Sequence, residues 1–458
     1  MNSIASKNNL ILDNVSWRSS YHEIVEQYQS GQMPTALGNA LRATEQFPFS
    51  PDLWKILGLV SQDLNRGEAA IAAFRQAVAL SDNDPVNHSN LAIALHGDGQ
   101  TAEAILSLQR VTELAPSDAD AHYNLGVLLK ESGLIKEAIA AYRRALNLNP
   151  EVTEAFNNLG ILLCEQGRLG EGIDAYKLAL SVQPNYGEAL LNLGAELPKI
   201  HFASEDRSLY PCLEKLLNAA NVVTPADVAP AILSLLKHDP ILIDMLQEPS
   251  AQLDLKTLLN RISMLDQLPL LQKLMRLCPL PDIELERVFT VIRSGLLEHL
   301  SMLVETPFLE SFQSTLSLQC FLNEYVYFET EQDTENVAGL CRHIETRLAA
   351  GKEPEAIEVL CLSLFRPLHG FYWSEGLSSL KRLPEIRERL ITQPLTEQRL
   401  AKEICTLGPI SNDVSIAVKR QYEENPYPRW TQMAVTQATL PLDDYLKGQG
   451  IRHHLLRD

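Results

Sequence analysis

A thirty-four-residue period in small and apolar positions limits what this chain can fold into more than any other feature of it. Stepping by that interval from Gly126 reaches Gly58, Ala92, Gly160 and Gly194, and a leucine precedes every marker, at Leu57, Leu91, Leu125, Leu159 and Leu193. Twelve residues beyond the marker comes a second small residue (Ala70, Ala104, Ala138, Gly172). Four further on stands a large one (Phe74, Leu108, Tyr142, Tyr176), and Pro116, Pro150 and Pro184 close three of the units. An interval of this length is that of a supersecondary unit stacked on copies of itself, because no single unit buries its apolar surface alone.

Within a unit, apolar residues recur at three- and four-residue steps, as in Leu125, Leu128, Leu129 and again in Ile135, Ile139, Tyr142. Two amphipathic helices per unit follow. Between them a glycine recurs at Gly31, Gly99, Gly133 and Gly167, where a positive φ ends the first helix. The marker glycines lie inside helices, where glycine costs about 1 kcal/mol against alanine, so they imply a close helix contact that a side chain would block. With Trp54 in Trp54-Lys55-Ile56-Leu57-Gly58, the pattern resembles the tetratricopeptide repeat, W-x2-L-G-x2-Y, then A-x3-F, then P. The resemblance implies a right-handed superhelix of paired helices enclosing a groove.

Full repeats are expected at 51–84, 85–118, 119–152 and 153–186, then a lone first helix from Gly187 to about Leu197, stopped by Pro198. One degenerate capping repeat precedes them, with Ala36, Ala43 and Pro48 in register but Ile24 where the small residue belongs. The array therefore spans 17–198, after a loosely ordered 1–16. Beyond Pro198 the period is lost, and 203–405 is leucine-rich, with helix-period stretches at Leu209 to Leu217, Ala229 to Lys237, Leu253 to Leu274, Leu285 to Leu303, Thr334 to Ala350 and Glu353 to Leu364. Few alternating β-branched runs occur. The expected fold is all-α, a tetratricopeptide superhelix followed by a second α-helical domain, then a junction segment at 406–430 and a polar tail at 431–458.

A net charge of −19 argues against nucleic acid as a partner, since phosphate binding relies on clustered Lys and Arg. No run approaches the roughly 18–20 apolar residues of a membrane helix, and the N-terminus lacks the apolar core of a secretory signal. Seven widely spaced cysteines without a C-x-x-C pair suit a reducing compartment, so a cytoplasmic protein with no membrane partner is expected.

The repeats carry one polar row. Two residues before the marker stands asparagine in four successive units, Asn90, Asn124, Asn158 and Asn192. At about 100° per residue this row lies opposite the packed side and lines the groove. A carboxamide donates and accepts, so a spaced row can hold the backbone of an extended peptide whatever its side chains. Beside it run an apolar row (Leu59, Ile93, Val127, Ile161) and an acidic one (Asp120, Glu131, Glu154, Glu165, Glu188), which favour a neutral or basic segment. The asparagine ladder resembles that of O-linked N-acetylglucosamine transferases, which implies peptide grip without chemistry. A basic clamp for a C-terminal carboxylate, known in some repeats of this type, is not evident, since its position holds Lys55, Ser89, Tyr123 and Asn157.

No H-E-x-x-H, G-x-x-x-x-G-K-[ST] or G-x-S-x-G occurs. His88 and His122 occupy a packing position, and His453-His454 lie in the tail. No catalytic residue, metal ligand or cofactor is expected on these residues. The unusual segment is Gln421 to Trp430, QYEENPYPRW, in which Tyr422, Tyr427 and Trp430 give an aromatic surface with Arg429 beside Trp430, and the two prolines favour an extended backbone at Asn425 and Tyr427. Val414 to Trp430 resembles the junction of bacterial proteins that join tetratricopeptide repeats to a class I S-adenosylmethionine-dependent methyltransferase domain, and Gln319 to Tyr327 is similar to part of their helical region. In that family the junction leads into a strand and a glycine-rich cofactor loop, whereas this sequence reaches Asp458 before any such loop. The reading is a protein- or peptide-binding scaffold without catalysis of its own. The alternative is the regulatory or substrate-recruiting half of a truncated or split methyltransferase, with a methyltransferase domain as partner.

Overall fold

The computed structural model describes residues 17–219, 222–247, 253–303 and 309–403. Two compact units divide the chain, Met1–Ala189 and Leu190–Asp458. Among the described residues every regular element is helical and none is a strand. The junction residues Tyr422, Asn425, Tyr427, Arg429 and Trp430, the tail with its histidine pair, and residues 1–16 lie outside the described residues.

In the first unit the helices are α1 (residues 17–29), α2 (Met33–Gln46), α3 (Pro51–Asp63), α4 (Gly67–Leu80), α5 (Pro85–Gly97), α6 (Thr101–Leu114), α7 (Ala119–Glu131), α8 (Ile135–Leu148), α9 (Thr153–Glu165) and α10 (Leu169–Val182). They pair as the period requires, α3 with α4 through α9 with α10, and each second helix also packs on the first helix of the next repeat. The marker positions explain the pairing. A Cβ on Gly58 would stand 2.4 Å from the Phe74 ring, on Gly126 2.7 Å from Tyr142 and on Gly160 2.5 Å from Tyr176. Where the marker is Ala92, its counterpart shrinks to Leu108, and both are buried. In the first repeat the exchange is complete: Ile24 takes the small position, its counterpart is Ala40, and both belong to one buried cluster. Volume across the helix pair is conserved while its distribution is not, as close packing demands.

The turn glycines Gly31, Gly99, Gly133 and Gly167 have φ between 74° and 80°. The repeat without one places Asn65 there at φ 56°, asparagine being the residue that best tolerates this region after glycine. A second recurrent device joins successive repeats. Trp54 Nε1 donates to Pro48 O at 2.8 Å, and ring Nε2 atoms stand 2.9 Å from Asp82 O in His88 and 3.3 Å from Pro116 O in His122. In each case one side chain donates to the carbonyl six residues earlier, in the loop from the preceding repeat. Arg75 pairs with Glu103 at 2.7 Å, Arg110 with Asp82 at 3.0 Å and Arg143 with Glu171 at 3.2 Å. These exposed pairs contribute little to stability and mainly neutralise the second-helix face.

The second unit takes up most of α11 (Gly187–Glu196). Gly194 keeps the marker role, a Cβ there standing 2.2 Å from Val223 and 3.3 Å from Leu216. Then come α12 (Tyr210–Asn218), α13 (Pro225–Leu236), α14 (Pro240–Gln247), α15 (Leu255–Leu265), α16 (Pro269–Leu277), α17 (Ile283–Glu298), α18 (Leu300–Leu303), α19 (Leu309–Leu322), α20 (Glu331–Ala349), α21 (Ala356–Ser363), α22 (Pro384–Arg387), a π-helical turn (Glu388–Thr392) and α23 (Gln393–Glu403). The helix expected over Leu253 to Leu274 is two, because Pro269 starts a new one. The stretch from Leu285 likewise ends at Glu298 before a separate turn.

At the centre of this unit Arg293 is fully buried. Its guanidinium donates to Leu364 O at 2.9 Å and Phe328 O at 3.0 Å, and its Cζ stands 4.5 Å from the Phe365 ring centroid and 5.2 Å from that of Tyr327. The carbonyls it satisfies belong to the end of α21 and the loop before α20, where no helical partner exists. Cys278, Cys320 and Cys361 are buried, and burial pushes each thiol up to about 12. They are inert packing groups at neutral pH.

Two outcomes are expected. Gly126→Ile overpacks the helix pair and lowers unfolding free energy by about 1–3 kcal/mol. Adding Tyr142→Ala, which copies the Ile24 and Ala40 arrangement, recovers part of that loss in urea titrations, so the two changes are not additive. Arg293→Met removes charge-assisted bonds to buried carbonyls and lowers stability by about 3 kcal/mol or more, with a matching fall in urea midpoint.

Candidate functional site

The helix period fixes where the asparagines point. Each lies two residues, about 200°, before a marker that faces the paired second helix. Asn90 on α5, Asn124 on α7 and Asn158 on α9 are accordingly turned away from their own partners; Asn124 is exposed and the other two partly so. The apolar row flanks them, with Leu59, Val127 and Ile161 half-buried and Ile93 54% exposed. An aliphatic side chain so open on a helix is available surface.

Between α5 and α7 the two rows enclose an open groove of ≈230 Å³. One wall is Ser89, Ala92, Ile93 and His96, the other Asn124, Val127 and Leu128, with Leu108 of α6 between them. Three residues singled out by the period, Ile93, Asn124 and Val127, meet here. His96 and Glu131 face each other at the rim, Nδ1 to Oε2 at 3.6 Å. Ser89, His96 and Leu108 were not anticipated as lining, although Ser89 and His96 sit three or four residues from Ile93 and share its stripe.

One repeat on, the asparagine is engaged. Lys130 Nζ donates to Asn158 Oδ1 at 3.3 Å. The rings of Tyr123 and Tyr142 lie with centroids 5.9 Å apart. Burial pushes both phenols up, a shift that the neighbouring Asn158 side chain opposes. Both stay protonated at neutral pH. Asn192 is on α11, within the second unit.

Charge is divided between the two kinds of helix. The first helices α3, α5, α7 and α9 carry Asp52, Asp63, Asp120, Glu131, Glu154 and Glu165 against only Lys55 and Lys130. Lys55 is itself held by Asp52 at 2.9 Å. Acidic and basic residues balance on α4, α6, α8 and α10. Glu131, Glu154 and Glu165 are exposed beside the groove, so the first-helix face presents a negative field.

A larger cleft, ≈920 Å³, opens in the second unit between α17 and α20. Its buried carboxylates are held in place: Asp333 accepts from Ser294 and Thr330, and Glu358 from the Glu355 amide, with His343 at 3.1 Å. Among the described residues no group of three or more His, Cys, Asp or Glu side chains is placed to hold a metal ion, and no helix is long and apolar enough to cross a membrane.

The family model described as tetratricopeptide repeat matches residues 119–152, and related repeat models match 98–133 and 23–85. No curated protein matches the chain. Similar solved structures include a MamA crystal structure, 23% identical, covering 35% of this chain and 93% of that one with a TM-score of 0.34. YrrB, described as a TPR protein with an unusual peptide-binding site, is 20% identical over 37% of this chain and 88% of its own, TM-score 0.35. Pseudomonas aeruginosa pilF is 19% identical over 50% and 94%, TM-score 0.37. The repeated helix pairs and the family models that match them make residues 23–152 an array of tetratricopeptide repeats, followed among the described residues by a further helical region.

Proposed function

We propose that the array is a scaffold whose first-helix face holds an extended, neutral or basic segment of a protein partner. The observation that carries this reading is the ≈230 Å³ groove between α5 and α7, where the apolar and asparagine rows meet. Ile93 and Val127 supply apolar contact, and Asn124 has a donor and an acceptor for one peptide unit of the guest. Asn90 and Asn158 repeat that function in the neighbouring repeats, Asn158 being oriented by Lys130. Glu131 and Glu165 attract Lys or Arg side chains of the guest and disfavour acidic ones.

The expected outcome for the triple variant Asn90→Ala, Asn124→Ala, Asn158→Ala is binding to selected extended peptides about tenfold weaker or more, since each hydrogen bond contributes about 0.5–1.5 kcal/mol. Fluorescence anisotropy measures this, with circular dichroism as the check on folding. Affinity equal to wild type would remove the asparagines from the site.

A second reading rests on the likeness of Val414 to Trp430 to a methyltransferase junction. In it the chain recruits substrate for, or completes, a methyltransferase domain. Calorimetric titration of the full chain with S-adenosylmethionine separates the two. The scaffold reading expects no heat of binding, and saturable binding would favour the methyltransferase reading.

A further inference from the structure

The ≈920 Å³ cleft of the second unit is walled by two helical stripes. Val291, Gly295 and Glu298 belong to the α17 wall, and Asp333, Leu340 and His343 to the α20 wall. Within each set the residues stand three, four or seven positions apart, so each is one side of its helix. From Asp333 to His343 the α20 wall spans ten residue steps, about 15 Å along the axis. A glycine keeps this wall low, since a Cβ on Gly339 would meet no atom within 4 Å. Four carboxylates, Glu298, Asp333, Glu335 and Glu358, line the cleft together with aliphatic side chains, and among the described residues no lysine or arginine does.

Asp333 is the informative member. It is 5% exposed, and among the described residues no lysine or arginine pairs with it. It accepts from Ser294 Oγ at 3.1 Å, Thr330 N at 3.0 Å and Thr330 Oγ1 at 2.7 Å, and all three bonds fall on Oδ2. That oxygen closes the capping box at the start of α20. Oδ1 accepts none among the described residues. Unlike the sealed amide of Gln313 it keeps access to solvent, through the cleft that Asp333 lines. A carboxylate set this deep ordinarily faces a cation. The cap fixes its position and leaves the acceptor sites of one oxygen to whatever enters.

We propose that this cleft binds a linear alkyl polyamine, with one ammonium group on Asp333 Oδ1 and the methylene chain along Val291 and Leu340. Glu298 and Glu335, both exposed, meet the remaining ammonium groups at the rim. Carboxylates and aliphatic side chains sharing one groove suit a ligand whose charges are spaced by methylene groups. An ammonium is a compact cation with three donors, so it bonds to Oδ1 without disturbing the cap on Oδ2. The volume lies at the upper end of the range for ligand pockets, and the length of the α20 wall accommodates an extended chain such as spermine.

The test titrates the full chain with spermine calorimetrically at constant ionic strength, potassium chloride balancing the salt. Saturable binding is expected, weakened about tenfold or more by Asp333→Asn, in line with loss of one charge-assisted bond. Asparagine still caps a helix, so D333N removes the charge and keeps an acceptor. Gly339→Leu is expected to weaken binding at least as much, because its side chain fills the open space above α20. It raises helix propensity and leaves the net charge of −19 unchanged, which separates this cleft from diffuse attraction to an acidic surface. Circular dichroism checks the fold of both variants, and D333N carries the test where G339L does not fold. Pentalysine run in parallel distinguishes a free polyamine from a lysine-rich segment of a partner. Tighter binding of the peptide than of spermine overturns the proposal. So does absence of saturable spermine binding by the wild type, or binding that folded G339L leaves unchanged.

Discussion

The contact between a small residue on the first helix of each repeat and a large one on the second is what the array depends on. It brings two helices close enough that Gly58, Gly126 and Gly160 leave no room for a Cβ. The rest of the repeat follows from that approach. With the marker turned inward, the residue two positions earlier must turn outward, and the residue after it lies at the edge of the packed stripe. The asparagine row and its apolar neighbours are thus placed by packing, although packing makes no use of their chemistry. The same contact is tolerant in detail, since Ile24 with Ala40 and Ala92 with Leu108 serve as well.

Charge is sorted along the same division. Second helices neutralise themselves through pairs that cross from one repeat to the next, such as Arg75 with Glu103. First helices keep an excess of carboxylates with little to oppose them. On the proposed reading, such a surface favours basic segments over acidic ones. The groove between α5 and α7 joins apolar contact, a carboxamide and that field on one side of the unit.

The repeats could be read from the sequence because their contacts are local and recur. The boundaries of α3 through α10 follow from marker spacing, and even the missing turn glycine is filled by Asn65 at a position the period identifies. The second unit was harder to read for a physical reason. In α19, Gln313, Thr315, Ser317 and Gln319 are all fully buried, so the polar and apolar alternation that reveals a helix is absent. Its defining contacts also join distant residues: Arg276 and Glu385 are 109 positions apart. No spacing rule within a helix anticipates that pair, nor Arg293 reaching the backbone of Leu364. In the groove, the near wall was legible from the asparagine phase, while Leu108 and His96 needed the packed neighbours to be seen.

The central claim is that the first-helix face of the array is the surface that meets a partner. Hydrogen–deuterium exchange of the full chain, free and with a selected basic extended peptide, tests it most directly. The account predicts added protection concentrated in α5, α7 and α9, with the second helices of those repeats unchanged. Protection confined to the second helices, or to the second unit alone, would contradict it.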